Sequence, residues 1–477
     1  MVKHNYRNFF LHSISFFSDQ IEIPIVVVLV LISAIITDMM ISTFYSSLET
    51  QLVSSLGIAL FIGIVVAVYG IGQYFLLRFI KHVSISIRSK ERQFDIVYKG
   101  MVAIQYVLSF VFLFLILQIL STHQYYTTLI VSIIAISFVP SVIIAGFLSY
   151  RFFFWYKSAE NKRKNIVILL SALAFSLVAF GAMARVIFYN GMLLAKPAVV
   201  SSSSSQLVVS GITFSASPIT AHLTEAMRVE LSTIFYSADI PLILSFTFVW
   251  IATAMLLNHY SHKFGRIKYW TMICLPLIPF LAGMFPTLLG QLPTNAGFLE
   301  YKRSLLFYIL IFKIAVVVGA TLFSTAFFVM ARNIRRKLDQ STTTIGADVK
   351  NYLLLCSYGT VILAVSLSSS EIHTPYPPFG VVAFSFAALG VYMFTLGIHS
   401  TASSIANDAK LRHLIRKYVI EQSQLLDSIG TIQMQQEIEE RVLRLSKAQQ
   451  ESLKEQTGVA ASLNEQDTKK YLDEVLD

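Results

Sequence analysis

Residues 101–150 read MVAIQYVLSFVFLFLILQILSTHQYYTTLIVSIIAISFVPSVIIAGFLSY, without a single Asp, Glu, Lys or Arg. The apolar runs 101–121 and 126–150 can each cross about 30 Å of hydrocarbon at about 1.5 Å per residue. Only Ser121–Tyr125 separates them, so the stretch predicts a tight helical hairpin inside a membrane. Barrel strands are excluded, because they are about 10 residues long and alternate in polarity. Within lipid a helix satisfies its own backbone hydrogen bonds and an isolated strand does not.

The same pattern recurs in both directions. Spans are predicted at 22–44, 53–79, 101–121, 126–150, 165–190, 240–260, 269–290, 304–331, 351–369 and 377–399. Composition agrees: of 477 residues, 55% are hydrophobic and 13% charged, with mean hydropathy +0.66. Soluble domains carry about 25% charged residues. The predicted fold is an all-α membrane protein, a bundle of about ten transmembrane helices with a cytoplasmic helical or coiled-coil tail. Its divisions are an N-terminal interfacial segment (1–21), helices 1–5 (22–190), an extracytoplasmic segment with an amphipathic helix (191–239), helices 6–10 (240–399) and the tail (400–477). Residues 1–20 carry His4, Arg7, His12 and Asp19 among phenylalanines, which does not fit a cleavable signal peptide.

Basic residues orient the bundle. One set of alternate connections holds Lys3 and Arg7, Arg78 to Lys99, Arg151 to Lys164, Lys263 to Lys268, and Arg332 to Lys350. The other side, with the adjoining span ends, holds only Arg185, Lys196, Arg228, Lys302 and Arg303. The first side is therefore expected in the cytoplasm of a multi-pass cell-membrane protein, with both termini inside. The formal charge of +10 then reflects inner loops facing anionic headgroups. The tail, slightly acidic, gives no support to nucleic-acid binding, and the lipid bilayer is the expected partner.

Outside the bilayer, Ser201–Ser205 reads as a flexible linker and Leu207–Phe214 as a small hairpin. Ser217–Pro218 looks like a helix start, with Leu223, Met227, Leu231, Ile234 and Phe235 at helical spacing. This segment fits a ligand-binding cap or a loop that seals the bundle. Three prolines between Glu371 and Gly380 bar a helix until after Pro378. In the tail, Leu411, Leu414, Tyr418, Leu425, Leu426, Ile429, Ile432, Ile438, Val442 and Leu445 recur at steps of three and four, drifting around Gly430. A long helix or hairpin continuing from the last span is predicted, ending near Thr457–Gly458, with residues 405–477 available to a cytoplasmic protein partner or to self-association.

Three ions inside apolar runs form a candidate intramembrane polar site. Lys313 lies about nine residues into the eighth span, and Asp38 and Arg185 fall near outer span ends. A buried lysine costs about 2.5–3.5 kcal/mol on insertion scales and often marks a pathway; snorkelling toward the outer surface is the alternative. Pairing of Asp38 with Lys313 or Arg185 would neutralise the charge. Pro276, Pro279 and Pro286 predict a kinked or broken seventh helix, and such breaks build binding sites in many transporters. His259 and His262 stand three apart, which suits interfacial packing better than a metal, since no acidic or cysteine ligand is near in sequence. Cys274 and Cys356 are two apolar packing residues. No enzyme motif is found and no catalytic residue, cofactor or metal is expected: no P-loop, Gly-x-Gly-x-x-Gly or His-Glu-x-x-His occurs.

The stretches Pro377-Pro378-Phe379-Gly380, His399-Ser400-Thr401-Ala402 and Gln424-Leu425-Leu426-Asp427-Ser428-Ile429-Gly430 resemble uncharacterised archaeal polytopic membrane proteins. The resemblance covers mainly the last third and implies no activity. The layout leaves two main functional expectations: a sensor or signalling scaffold coupling the bundle to its tail, and a secondary transporter or permease with a site near Lys313 and the seventh span. A membrane-assembly subunit is a third.

Overall fold

The structure is a computed structural model that describes residues 22–45, 54–90, 92–158, 165–194, 199–201, 225–258, 265–280, 298–338, 345–369, 377–409, 411–413 and 424–457. Helix α1 is Glu22–Tyr45. Helix α2, Ser54–Val65, runs through a π-helical segment, Val66–Gly72, into α3, Gln73–Lys90. Then come α4 (Arg92–Thr122), α5 (Thr127–Lys157), α6 (Ile166–Leu194), α7 (Glu225–Leu257) and α8 (Arg266–Cys274). The chain continues as α9 (Phe298–Leu338), α10 (Ile345–Ser368), α11 (Val381–Phe384), α12 (Ala387–Asn407) and α13 (Gln424–Thr457). Strands β1 (Gln124–Tyr126) and β2 (Val199–Ser201) pair antiparallel.

Among the described residues, 8 helical stretches are long and apolar enough to cross a membrane. They coincide with the expected second to sixth and eighth to tenth spans. The chain is thus an all-α, multi-pass membrane protein. The expected first span is α1, whose described apolar part, Val28–Ser42, is shorter. The expected seventh begins as α8, and much of it, 281–290, lies outside the described residues.

One local expectation changes. The expected amphipathic helix, from Glu225 on, and the sixth span are one helix, α7, which passes through Pro241, and membrane helices tolerate proline. The hairpin expected at 207–214 lies outside the described residues. A β-pairing joins the 124–126 connection to 199–201, with Tyr125 fully buried. This puts the turn after α4 and the segment after α6 on one side of the bundle.

The last span is the axis of the fold. All of the apolar window in Val381–Asn407 is buried inside the protein, against 33% for the second and third spans. Glycines permit this. A Cβ at Gly397 would lie 2.5 Å from the Tyr352 carbonyl oxygen, and one at Gly390 2.8 Å from the Leu363 nitrogen. From the facing helix, a Cβ at Gly359 would lie 2.7 Å from the Gly390 carbonyl oxygen. The α10 and α12 backbones therefore touch, as small residues allow in membrane helix pairs. Rings of Phe175, Phe323 and Phe327 close around Phe394.

The tail does not continue α12 as one rod. At Asp408 the backbone becomes extended, and the Asp408 carboxylate accepts a hydrogen bond from the Leu411 N–H at 3.2 Å. Helix α13 then packs against α12, with Gly430 against Ile405. Its first turns bury Leu425, Leu426, Ile429 and Ile432, whereas Ile438 and Leu445 are exposed. Helix α13 is thus docked along its first turns, and apolar side chains of its later turns are exposed.

Candidate functional site

The N-terminal end of the last span is built around Asp38. Pro377 and Pro378 precede Gly380, whose φ of +91° is a left-handed conformation that glycine accepts without strain. A Cβ at Gly380 would also lie 2.8 Å from the Ser42 hydroxyl oxygen. This turn aims the start of α11 at α1. The Ala383 N–H donates to Asp38 Oδ2 at 3.0 Å, and the backbone amides of Gly380 and Val382 bond the same carboxylate. A buried anion at a helix N-terminus is favoured by the orphan N–H groups and the helix dipole. Asp38 Oδ1, also buried, has no hydrogen-bond partner among the described residues.

One turn later the span is interrupted. Helix α11 ends at Phe384, and α12 resumes at Ala387. Ser385 sits at the break. The Tyr69 hydroxyl donates to the Ser385 hydroxyl, which itself donates to the Val382 carbonyl at 2.5 Å. Tyr69 lies in the π-helical segment of the second span, its ring 4.6 Å from that of Phe112 and 5.5 Å from that of Phe386. π-helical segments inside α-helices are frequent at functional sites. The constellation thus joins the first, second and last spans through an acid, a phenol, a serine hydroxyl and helix-end amides. A neutral Asp38 would still offer Oδ2 to those amides, but as a weaker acceptor than the carboxylate.

Arg185 lies on the other side of the same connection. It is buried, and its guanidinium donates to the Leu367 carbonyl at 2.7 Å, in the last turn of α10. A cation there complements the negative helix end. Asp38 and Arg185 therefore occupy opposite helix poles flanking residues 369–380, and Asp38 takes its hydrogen bonds from backbone amides rather than from a cation. Lys313 is 2% exposed, inside the protein and not in lipid. Counted back from Arg332 along the continuous helix α9, it stands about 28 Å up the axis.

In the seventh span, α8 ends at Cys274, the chain turns at Leu275–Pro276, and a further helical turn covers 277–280, including Pro279. Pro276 lies beside Gly319 and Phe246, and Phe246 stacks on Phe280 at 4.1 Å. Pro286, His259 and His262 lie outside the described residues. Among the described residues no group of three or more His, Cys, Asp or Glu comes together.

Sequence reading missed Tyr69, Ser385 and the Gly380 amides. A phenol and a hydroxyl inside apolar runs were the available signal, but their partners are more than 300 residues apart. Compared with known proteins, the chain matches no family model, no curated protein and no solved structure.

Proposed function

We propose that the protein is a membrane sensor or signalling scaffold in which the last span couples an outer polar site to the cytoplasmic tail. The observation that carries this reading is the docking of α13 on α12, the span whose apolar window is entirely buried inside the protein. The other end of that span is held by Asp38. A change in the Asp38 contacts shifts a helix whose inner end touches the tail, and the exposed remainder of α13 meets a cytoplasmic protein partner or a second copy through 405–477. In this reading ten helices span the cell membrane, both termini lie in the cytoplasm, and the protein acts by contact, not by catalysis.

The test is hydrogen–deuterium exchange of the purified protein in lipid nanodiscs, wild type against Asp38→Asn. Exchange in residues 424–436 is expected to rise several-fold in the variant. Unchanged exchange there, with faster exchange at 380–386, would sink the coupling.

A second reading, a secondary transporter or permease, draws on Lys313 being buried in protein and on the chain turn at Leu275–Pro276. Proteoliposomes imposing a proton or ion gradient would give a flux that Lys313→Met abolishes; equal flux in both proteins removes this reading's main residue.

A further inference from the structure

We infer that Asp38 is a reversible proton-binding site, with the proton carried on Oδ1, and that a proton is the ligand of the polar site at the N-terminal end of the last span. The proton is then what the proposed sensor senses, so this assignment rests on that reading. The two oxygens of the carboxyl group are treated differently. Oδ2 accepts from the Ala383 N–H at 3.0 Å, and the Gly380 and Val382 amides bond the same carboxyl group. Oδ1 is buried and has no hydrogen-bond partner among the described residues. An ionised carboxylate offers two acceptor oxygens, whereas a protonated one has an acceptor oxygen and an O–H. One oxygen held by amides and one given no donor is the pattern of the acid, with C=O at Oδ2 and O–H at Oδ1.

No neighbouring cation neutralises the charge. Asp38 is the one buried acidic residue among the described residues, and it forms no ion pair among them. Helix α1 packs on α2, the π-helical segment, α3, α9, α10 and α11. Among the described side chains of these elements, the titratable group that acts on Asp38 is Tyr69, within electrostatic reach of it. The Tyr69 hydrogen is already given to Ser385. Helices α2 and α11 carry no titratable side chain. On α3, Tyr74 is exposed, and the charged groups begin at Arg78, about 14 Å beyond Tyr69. On α10, the titratable groups stop at Tyr358, about 16 Å from Ser369, whose carbonyl lies beside Gly380. Lys313 of α9 makes no ion pair with Asp38, and Arg332 is further down that helix. A buried carboxylate without a counter-ion costs several kcal/mol, and such groups neutralise by taking up a proton. Charge-assisted bonds from the amides favour the ion instead. The two effects oppose each other, so the proton can be bound and released. Binding forms one O–H bond with a proton from solvent water and breaks no bond of the chain. A proton also needs no cavity beside Oδ1.

The experiment uses the full chain in lipid nanodiscs. Infrared difference spectra are recorded as the pH is stepped between about 4 and about 9. In wild type the C=O stretch of a protonated carboxyl group is expected at low pH and lost at high pH. Asp38→Asn should delete that band. Asp38→Glu keeps an acid and should shift the band instead, which serves should the asparagine variant fail to fold. In parallel, protection of the Ala383 amide against hydrogen exchange, corrected for its intrinsic rate, should fall about fivefold as the band appears, because a charged acceptor becomes neutral. A band that is absent or constant across the range, or identical in wild type and both variants, overturns the site. So does a band that follows sodium at constant pH and not pH, since the occupant is then a metal cation. A titrating band with unchanged exchange in residues 424–436 keeps the proton site and removes the tail coupling.

Discussion

The two ends of the last span are held by opposite chemistry. At its N-terminal end an aspartate from α1 sits on the amides that open α11. At its C-terminal end an arginine from α5 donates to a histidine of α12. The aspartate is answered by the backbone of the span itself. The arginine reaches a side chain of the span, and the tail docks nearby at Ile405. The glycine-lined contact with α10 joins the two.

The hardest way to break this arrangement is through that contact. Gly397→Val sets side-chain carbons against the Tyr352 carbonyl and Cys356, and a loss of about 3 kcal/mol is expected from overpacking. Thermal or denaturant unfolding in detergent would register it, and a wild-type midpoint would deny that the backbones touch. Next is the N-terminal end: Asp38→Leu strips acceptors from buried amides and should cost about 1–3 kcal/mol, with Asp38→Asn losing less because an amide oxygen remains. Equal loss in both variants would mean that the negative charge, not acceptance, matters at this helix pole.

At the C-terminal end, Gly430→Leu should release the tail while the bundle's midpoint moves by less than about 1 kcal/mol, since only the first turns of α13 are docked. Limited proteolysis between 408 and 436 would become faster. If the whole bundle is destabilised instead, the tail is part of the core. The smallest effect is expected at Gly63 and Gly100, where a Cβ meets nothing within 4 Å. Alanine there should change stability by no more than about 1 kcal/mol, in the stabilising direction. A large loss at either position would mean that its helix face meets a partner, a second copy included.

Much of the frame was legible in the sequence. Apolar runs as long as 126–150 admit only helices in lipid, and the clustering of arginine and lysine on alternate connections follows from the cost of moving such loops across a membrane. The need for a special turn before the last span was visible in Pro377-Pro378-Phe379-Gly380. Even the drift of the tail's apolar pattern at Gly430 had a cause, because there α13 meets Ile405 of α12.

The candidate site was legible only as three isolated ions. Asp38, Arg185 and Lys313 stand out because charge is rare in apolar runs, but their neighbours do not. Pairing ions with one another is the obvious guess from sequence; the structure gives Asp38 backbone amides at a helix start, and a helix pole carries no residue letter. Which span would become the axis was written faintly: the two most buried spans, Asp348–Ser368 and Val381–Asn407, are the least apolar of the eight. Lipid rewards apolar side chains, whereas a helix surrounded by other helices can carry serine, glycine and histidine. The sequence by itself therefore determined that this chain spans a membrane, where its helices run and how its charges are distributed. Only the tertiary structure decided that the last span lies at the centre, with Asp38, Tyr69 and Ser385 at one end and Arg151, His399 and the tail at the other. The physical reason is that hydropathy measures transfer of each segment into lipid, while neighbours are chosen by close packing and by hydrogen bonds between residues far apart in the chain.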